Sequence, residues 1–146
     1  MSTIKFQAAY SSDYKRAIQT IEPLVNIKQL PLTLVEDLRE RNIGNFEPYT
    51  FQEAKRKVYE DLTFSFPQGE SSIKAQQRAC NVIIELLRKH RGETILIGTH
   101  GDIFTLMLNY FDKQYHYSFW QSTTMPDIYK VQFKNDVIIG VERCWE

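Results

Sequence analysis

Five consecutive residues, Thr94-Ile95-Leu96-Ile97-Gly98, make an uninterrupted apolar run that leads straight into Thr99-His100-Gly101-Asp102 and a further apolar stretch over residues 103–111. A run so short, branched and free of polar alternation fits a strand buried on both faces, and such strands belong to sheets that helices cover. The preceding segment agrees: Ile73, Ala79, Val82, Ile83, Leu86 and Leu87 recur at helical spacing within residues 71–90. Arg88-Lys89-His90-Arg91-Gly92 then supplies the basic last turn and the glycine that end a helix. Helix, buried strand, small-residue turn and helix together point to an α/β architecture.

The rest of the chain extends the pattern. Residues 6–10 form a short apolar run closed by Ser11-Ser12, after which Tyr14, Ala17, Ile18, Ile21 and Leu24 predict a helix with Ser12 as its N-cap. Leu32-Thr33-Leu34-Val35 reads as a second strand, and Thr50-Phe51-Gln52-Glu53 as a capping box opening a helix that ends near Asp61. Residues 128–133 and 137–141 read as a hairpin across Lys134-Asn135-Asp136. The expected fold is α/β in three layers, a mostly parallel sheet flanked by helices, in a single domain over residues 1–146. Ligands of such sheets bind outside the carboxyl ends of the strands.

Composition narrows the partners. Eighteen Lys+Arg balance 18 Asp+Glu, which removes the basic field that nucleic-acid and anionic-membrane binders use, so neither partner is expected. No apolar run approaches the roughly 20 residues that cross a bilayer. Cys80 and Cys144 are too few for a disulfide framework and lie outside any metal-ligand spacing, so a cytoplasmic, metal-free protein is expected. Lys55-Arg56-Lys57 and residues 88–91 read as solvated helix faces. Phe46, Tyr49, Phe51, Tyr59, Phe64 and Phe66 read mostly as packing.

Two places share one local design: an apolar strand, a small-residue turn and a helix N-terminus. One is Ala8-Ala9-Tyr10-Ser11-Ser12 with Arg16 a turn further on; the other is Ile97-Gly98-Thr99-His100-Gly101-Asp102. Both are expected to aim unpaired N–H groups at the strand ends, which favours an anion there. Arg16 carries the planar fork that grips phosphate, and His100 can donate hydrogen bonds to developing charge. Glu40 adds an acid from a polar segment after the second strand. Asp102 reads as the cap of its helix, where its charge competes with a bound phosphate.

These segments resemble the histidine phosphatase superfamily, also called phosphoglycerate-mutase-like proteins. Residues 11–20, Ser-Ser-Asp-Tyr-Lys-Arg-Ala-Ile-Gln-Thr, are similar to that family's SS-x-x-x-R-A-x-x-T segment, and Leu38 to Glu47 to its L-x-E-x-x-x-G-x-x-E segment. Pro67-Gln68-Gly69-Glu70-Ser71 resembles its P-x-G-E-S loop and Thr99-His100-Gly101 its second S/T-H-G. The resemblance implies that Arg16 binds phosphate, Glu40 gives a proton to the leaving group, and His100 contacts the phosphoryl group. It implies a phosphohistidine intermediate and no cofactor, with a small phosphomonoester or phosphate as ligand. The short connection between Glu40 and Gly69 leans toward a phosphatase over a mutase.

The family's nucleophile lies in an Arg-His-Gly motif at the end of a strand upstream of the SS-x-x-x-R segment. Here ten residues precede Ser11 and none is histidine. A strand and helix, on the order of 30 residues, are therefore expected to be missing at the front, from a place beside the strands that carry Ser11 and His100. The expectation is a phosphomonoester hydrolase domain that is inactive or impaired as written, with exposed strand edges open to homo-oligomers. The alternatives are a non-catalytic phospho-ligand or protein-binding remnant, or a fragment completed by another chain. His90, at a helix end, and His116, between Tyr115 and Tyr117, are not nominated as nucleophiles.

Overall fold

A computed structural model describes residues 3–144. Strand β1 (Ala8–Ser11) is followed by α1 (Lys15–Lys28), β2 (Leu32–Leu34) and a 3-10 turn at Glu36–Leu38. Two helices come next, α2 (Phe51–Glu60) and α3 (Ser72–Lys89), then β3 (Ile95–Gly98) and α4 (Gly101–Phe111). The chain ends in α5 (Tyr117–Ser122), β4 (Tyr129–Lys134) and β5 (Val137–Arg143). The protein is α/β: three parallel strands in the order β2-β1-β3, with Tyr10 opposite Thr33 on one side and Ile97 on the other.

Strand alternation divides the layers. Ala9 and Leu96 face α1, where Ile21 and Val25 pack on them together with Leu30 and Leu32. Ala8, Tyr10, Ile95 and Ile97 face the larger core built from α2, α3 and α4, in which Leu38, Val58, Ala75, Ile103 and Leu106 are wholly buried. Thr50 and Glu53 form the capping box at the start of α2, and Ser71 caps α3, as their spacing predicts.

Three local features differ from expectation. Helix α1 begins at Lys15 with Tyr14 as its N-cap, because Ser12 turns its hydroxyl to the Tyr14 N–H at 3.1 Å and so shapes the turn ahead of the helix. Helix α5, too short to show a periodicity, is additional. Ile95, Leu96 and Ile97 are only half-buried, because among the described residues β3 pairs with β1 alone.

The hairpin β4–β5 forms its own antiparallel sheet, joined through a turn in which Asn135 and Asp136 both have positive φ, 53° and 64°. That pair of left-handed residues is the geometry a two-residue hairpin favours. It meets the rest of the chain through aromatic rings, Phe104 on Tyr129 at 5.1 Å and Phe111 on Phe133 at 5.0 Å. Since β1 has a neighbour on each side, a further strand has no place beside Ser11; the open edge near His100 belongs to β3.

Candidate functional site

The carboxyl ends of β1 and β3 lie side by side, with Ser11 in register with Gly98, and this brings Ser12 to His100. A side chain at residue 98 would start 2.8 Å from the Ser11 hydroxyl, so glycine permits the approach. His100 Nε2 and Ser12 Oγ are 3.0 Å apart, both residues are buried, and the Tyr14 ring meets the imidazole edge-on at 5.5 Å. Burial first, then the positive charges of Arg16 and Arg78, push the His100 imidazole down to about 4. It is neutral at pH 7, with one ring nitrogen able to donate. Arg16 is exposed and, among the described residues, faces no carboxylate; its guanidinium lies 3.9 Å from Met125 Sδ.

Glu40 reaches the same helix end from the loop after β2. Its carboxylate accepts the N–H groups of Ile103 at 2.8 Å, Asp102 at 3.2 Å and Arg41 at 3.1 Å. The anion held by the N-terminus of α4 is therefore Glu40 itself, which corrects the expectation that these N–H groups await a ligand. Burial, followed by the charge of Asp102, raises the Glu40 carboxyl above the ordinary range, against opposition from Lys55 and the backbone donors.

Asp102 does not cap α4. Its carboxylate turns inward, accepting from Arg41 Nε at 2.9 Å and Nη2 at 3.1 Å, from the Tyr59 hydroxyl at 2.6 Å and from Lys55 Nζ. Burial alone would raise this carboxyl, but Arg41 and Lys55 outweigh it and hold it at about 2. Lys55 is buried in this cluster, whereas Arg56 is exposed and Lys57 half-buried, so the expected solvated basic face is corrected at its first member. The reason is helical: Lys55 precedes Tyr59 by one turn and shares its inward face.

Two loops fix Glu40 in place. Gly44, at φ +86°, and Gly69 touch: a Cβ on residue 69 would sit 2.2 Å from the Ile43 carbonyl oxygen. Asn45 N–H donates to Pro67 O at 2.9 Å and Glu70 N–H to Asn42 O at 2.7 Å. Arg78 spans both loops, donating to the Glu70 carboxylate at 2.8 and 2.9 Å and to the carbonyls of Asp37, Arg39 and Glu40. One cleft of about 210 Å³ opens on Glu40, Tyr14, Arg39 and Arg78; another of about 390 Å³ opens on Arg16, Thr20, Met125 and Ile128. Arg16, Glu40 and His100 thus gather at one end of the sheet, but Arg16 and Glu40 line different clefts.

The remaining candidates have structural work. His90 sits between the Tyr10 hydroxyl and Glu93, each at 2.7 Å, and His116 packs its ring on Tyr59. Cys80 is buried and its thiol pushed up to about 12 by that burial. The rings of Phe46, Tyr49 and Phe64 each pack edge-on or tilted against Phe66. Among the described residues no His/Cys/Asp/Glu group is placed to hold a metal ion, and no helix is long and apolar enough to cross a membrane. Arg41 and Arg78 escaped sequence reasoning as site residues, the one signal available being their position next to, or one element away from, the candidate acid; Ser12, read as a cap, stood inside the SS-x-x-x-R segment.

The profile of the histidine phosphatase superfamily (branch 1) matches residues 1–137. The chain is 30% identical over 109 residues to phosphoglycerate mutase-like protein 4 of Arabidopsis thaliana, covering 68% of this chain and 47% of that protein. It is 29% identical over 106 residues to a metal-independent phosphoserine phosphatase, also of Arabidopsis thaliana, covering 66% of this chain and 44% of that one. It therefore spans about half the length of the curated relatives it matches. Among solved structures, Bacillus stearothermophilus YhfR has the same fold, with a TM-score of 0.71 and 24% identity over 93% of this chain and 72% of that chain.

Proposed function

Because the chain belongs to the histidine phosphatase superfamily, branch 1, we propose that it carries the anion-binding and acid portion of a phosphomonoester hydrolase site. The observation behind this reading is the convergence of Arg16, His100 and Glu40 where β1 and β3 end. Arg16, which faces no carboxylate among the described residues, takes the phosphate oxygens through its planar fork. His100, neutral and braced by Ser12, donates from a ring nitrogen to charge that develops on the phosphoryl group. Glu40, whose carboxyl holds its proton more tightly than an ordinary glutamate, protonates the departing oxygen. The substrate is a small phosphomonoester, and the phosphoserine phosphatase among the relatives supports hydrolysis over transfer. The setting is the cytoplasm, where unpaired thiols such as Cys80 and Cys144 are the norm.

The sequence holds three histidines, and with His90 and His116 committed elsewhere only His100 stands at the site. Turnover by these 146 residues alone is accordingly expected to be weak or absent. Calorimetric titration with inorganic phosphate tests the binding part: the purified chain binds it, and Arg16→Ala weakens binding about tenfold or more, the loss of a charged hydrogen-bonding partner. Equal affinity of the two proteins overturns the assignment of Arg16. Phosphohistidine in the purified chain, or brisk hydrolysis of p-nitrophenyl phosphate, overturns the impairment.

A further inference from the structure

Two buried cations, Arg41 and Lys55, lie in the cluster around the candidate acid, yet neither forms an ion pair with it. Among the described residues the Glu40 carboxylate has only backbone N–H partners, from Arg41, Asp102 and Ile103. Both cations are committed to Asp102, Arg41 through two guanidinium nitrogens and Lys55 through Nζ. The side chains of Arg41 and Asp102 are wholly buried and that of Lys55 nearly so, so the closest ionic partner of each cation is Asp102. The Tyr59 hydroxyl on Asp102, and the Ser72 hydroxyl that accepts from Arg41 Nη1 at 2.7 Å, complete the cluster's hydrogen bonds.

We propose that Asp102 is a positioning residue that captures Arg41 and Lys55 and thereby leaves Glu40 without a counter-ion, able to keep a transferable proton. The functional meaning rests on the reading of Glu40 as the acid. The charge argument does not. A carboxylate beside two uncommitted buried cations becomes their partner and stays ionised; beside a carboxylate that already holds them, it does not.

Groups on several elements face Glu40. Asp102 comes from α4, Lys55 from α2, and Arg41 follows Glu40 in the chain. Arg78 comes from α3 with its fork already closed on Glu70. Arg78 touches Glu40 at its backbone carbonyl alone, at 3.3 Å. Asp102 is thus the group whose removal most changes what Glu40 sees.

Carbon-13 NMR titration of the Glu40 side-chain carboxyl, assigned against Glu40→Gln, reads this directly in the chain as it is. In Asp102→Asn the two cations are released and the Glu40 midpoint falls by about one pH unit or more, a tenfold loss of proton affinity. In Lys55→Met, which leaves the Arg41–Asp102 pair intact, the midpoint rises. Folding is checked by circular dichroism in each case, and should Asp102→Asn fail to fold, Lys55→Met decides. A midpoint that stays put in the folded variants, or moves the opposite way, overturns the proposal. No turnover enters the measurement: loss of phosphate binding by Arg16→Ala, tested on its own, concerns the phosphatase reading, and either can fail while the other stands.

Discussion

His100 is neutral in the folded chain because it is buried beside Ser12 with Arg16 and Arg78 nearby, and it carries the clearest pH signature in the molecule. Its folded value is about 4 against 6.5 for the free side chain, so the unfolded chain binds more protons between those values. Stability from this residue is complete above pH 6.5 and drains away as the pH falls through about 4. Thermal melts across that window are expected to show a falling midpoint, and His100→Gln a flatter one. The same residue scale shows where a sequence stops being readable. Histidine and arginine beside strand ends are visible as candidates, whereas the inward turn of Lys55 is hidden inside a basic triplet. Which of three adjacent cations faces a buried carboxylate depends on an aspartate nearly fifty positions away, and no local pattern records that.

At the scale of elements, the helices and strands were legible because their signals are local: the Thr50–Glu53 box, the Ser71 cap, the apolar stripe of α3. Removing the cap by Thr50→Ala is expected to cost about 1 kcal/mol in urea unfolding. The meeting of the Gly44 and Gly69 loops was not legible as such, although both glycines stood in the motifs. Their contact is closer than any side chain allows, and Gly69→Ala must part backbone from backbone. A loss above about 2 kcal/mol is expected, from forced displacement of packed main chain. Part of that displacement falls on Glu40, because Arg78 ties the two loops together. The cap of α4 was misread for a related reason: an aspartate after a glycine looks like a cap until a distant glutamate takes the N–H groups first.

For the whole molecule, the apolar run that announced an α/β fold occupies an outer strand of its parallel sheet, and its three large side chains are only half-buried. An open edge of this kind pairs readily with another chain. Light scattering is expected to show species heavier than 17.2 kDa that grow with concentration. A mass of one chain at all concentrations rules this out.

The separate hairpin has a further consequence, one of time. Its two strands are bonded to each other, while rings such as Phe104 and Phe111 hold it to the remainder, so it can lift away without breaking a bond of the β2-β1-β3 ladder. Amide protons of β4 and β5 then exchange with solvent at the pace of this local opening, and those of β1 wait for the whole chain to unfold. Met125, whose sulfur lies 3.9 Å from the exposed Arg16 guanidinium, stands just before β4, so each opening also frees that arginine of its thioether contact.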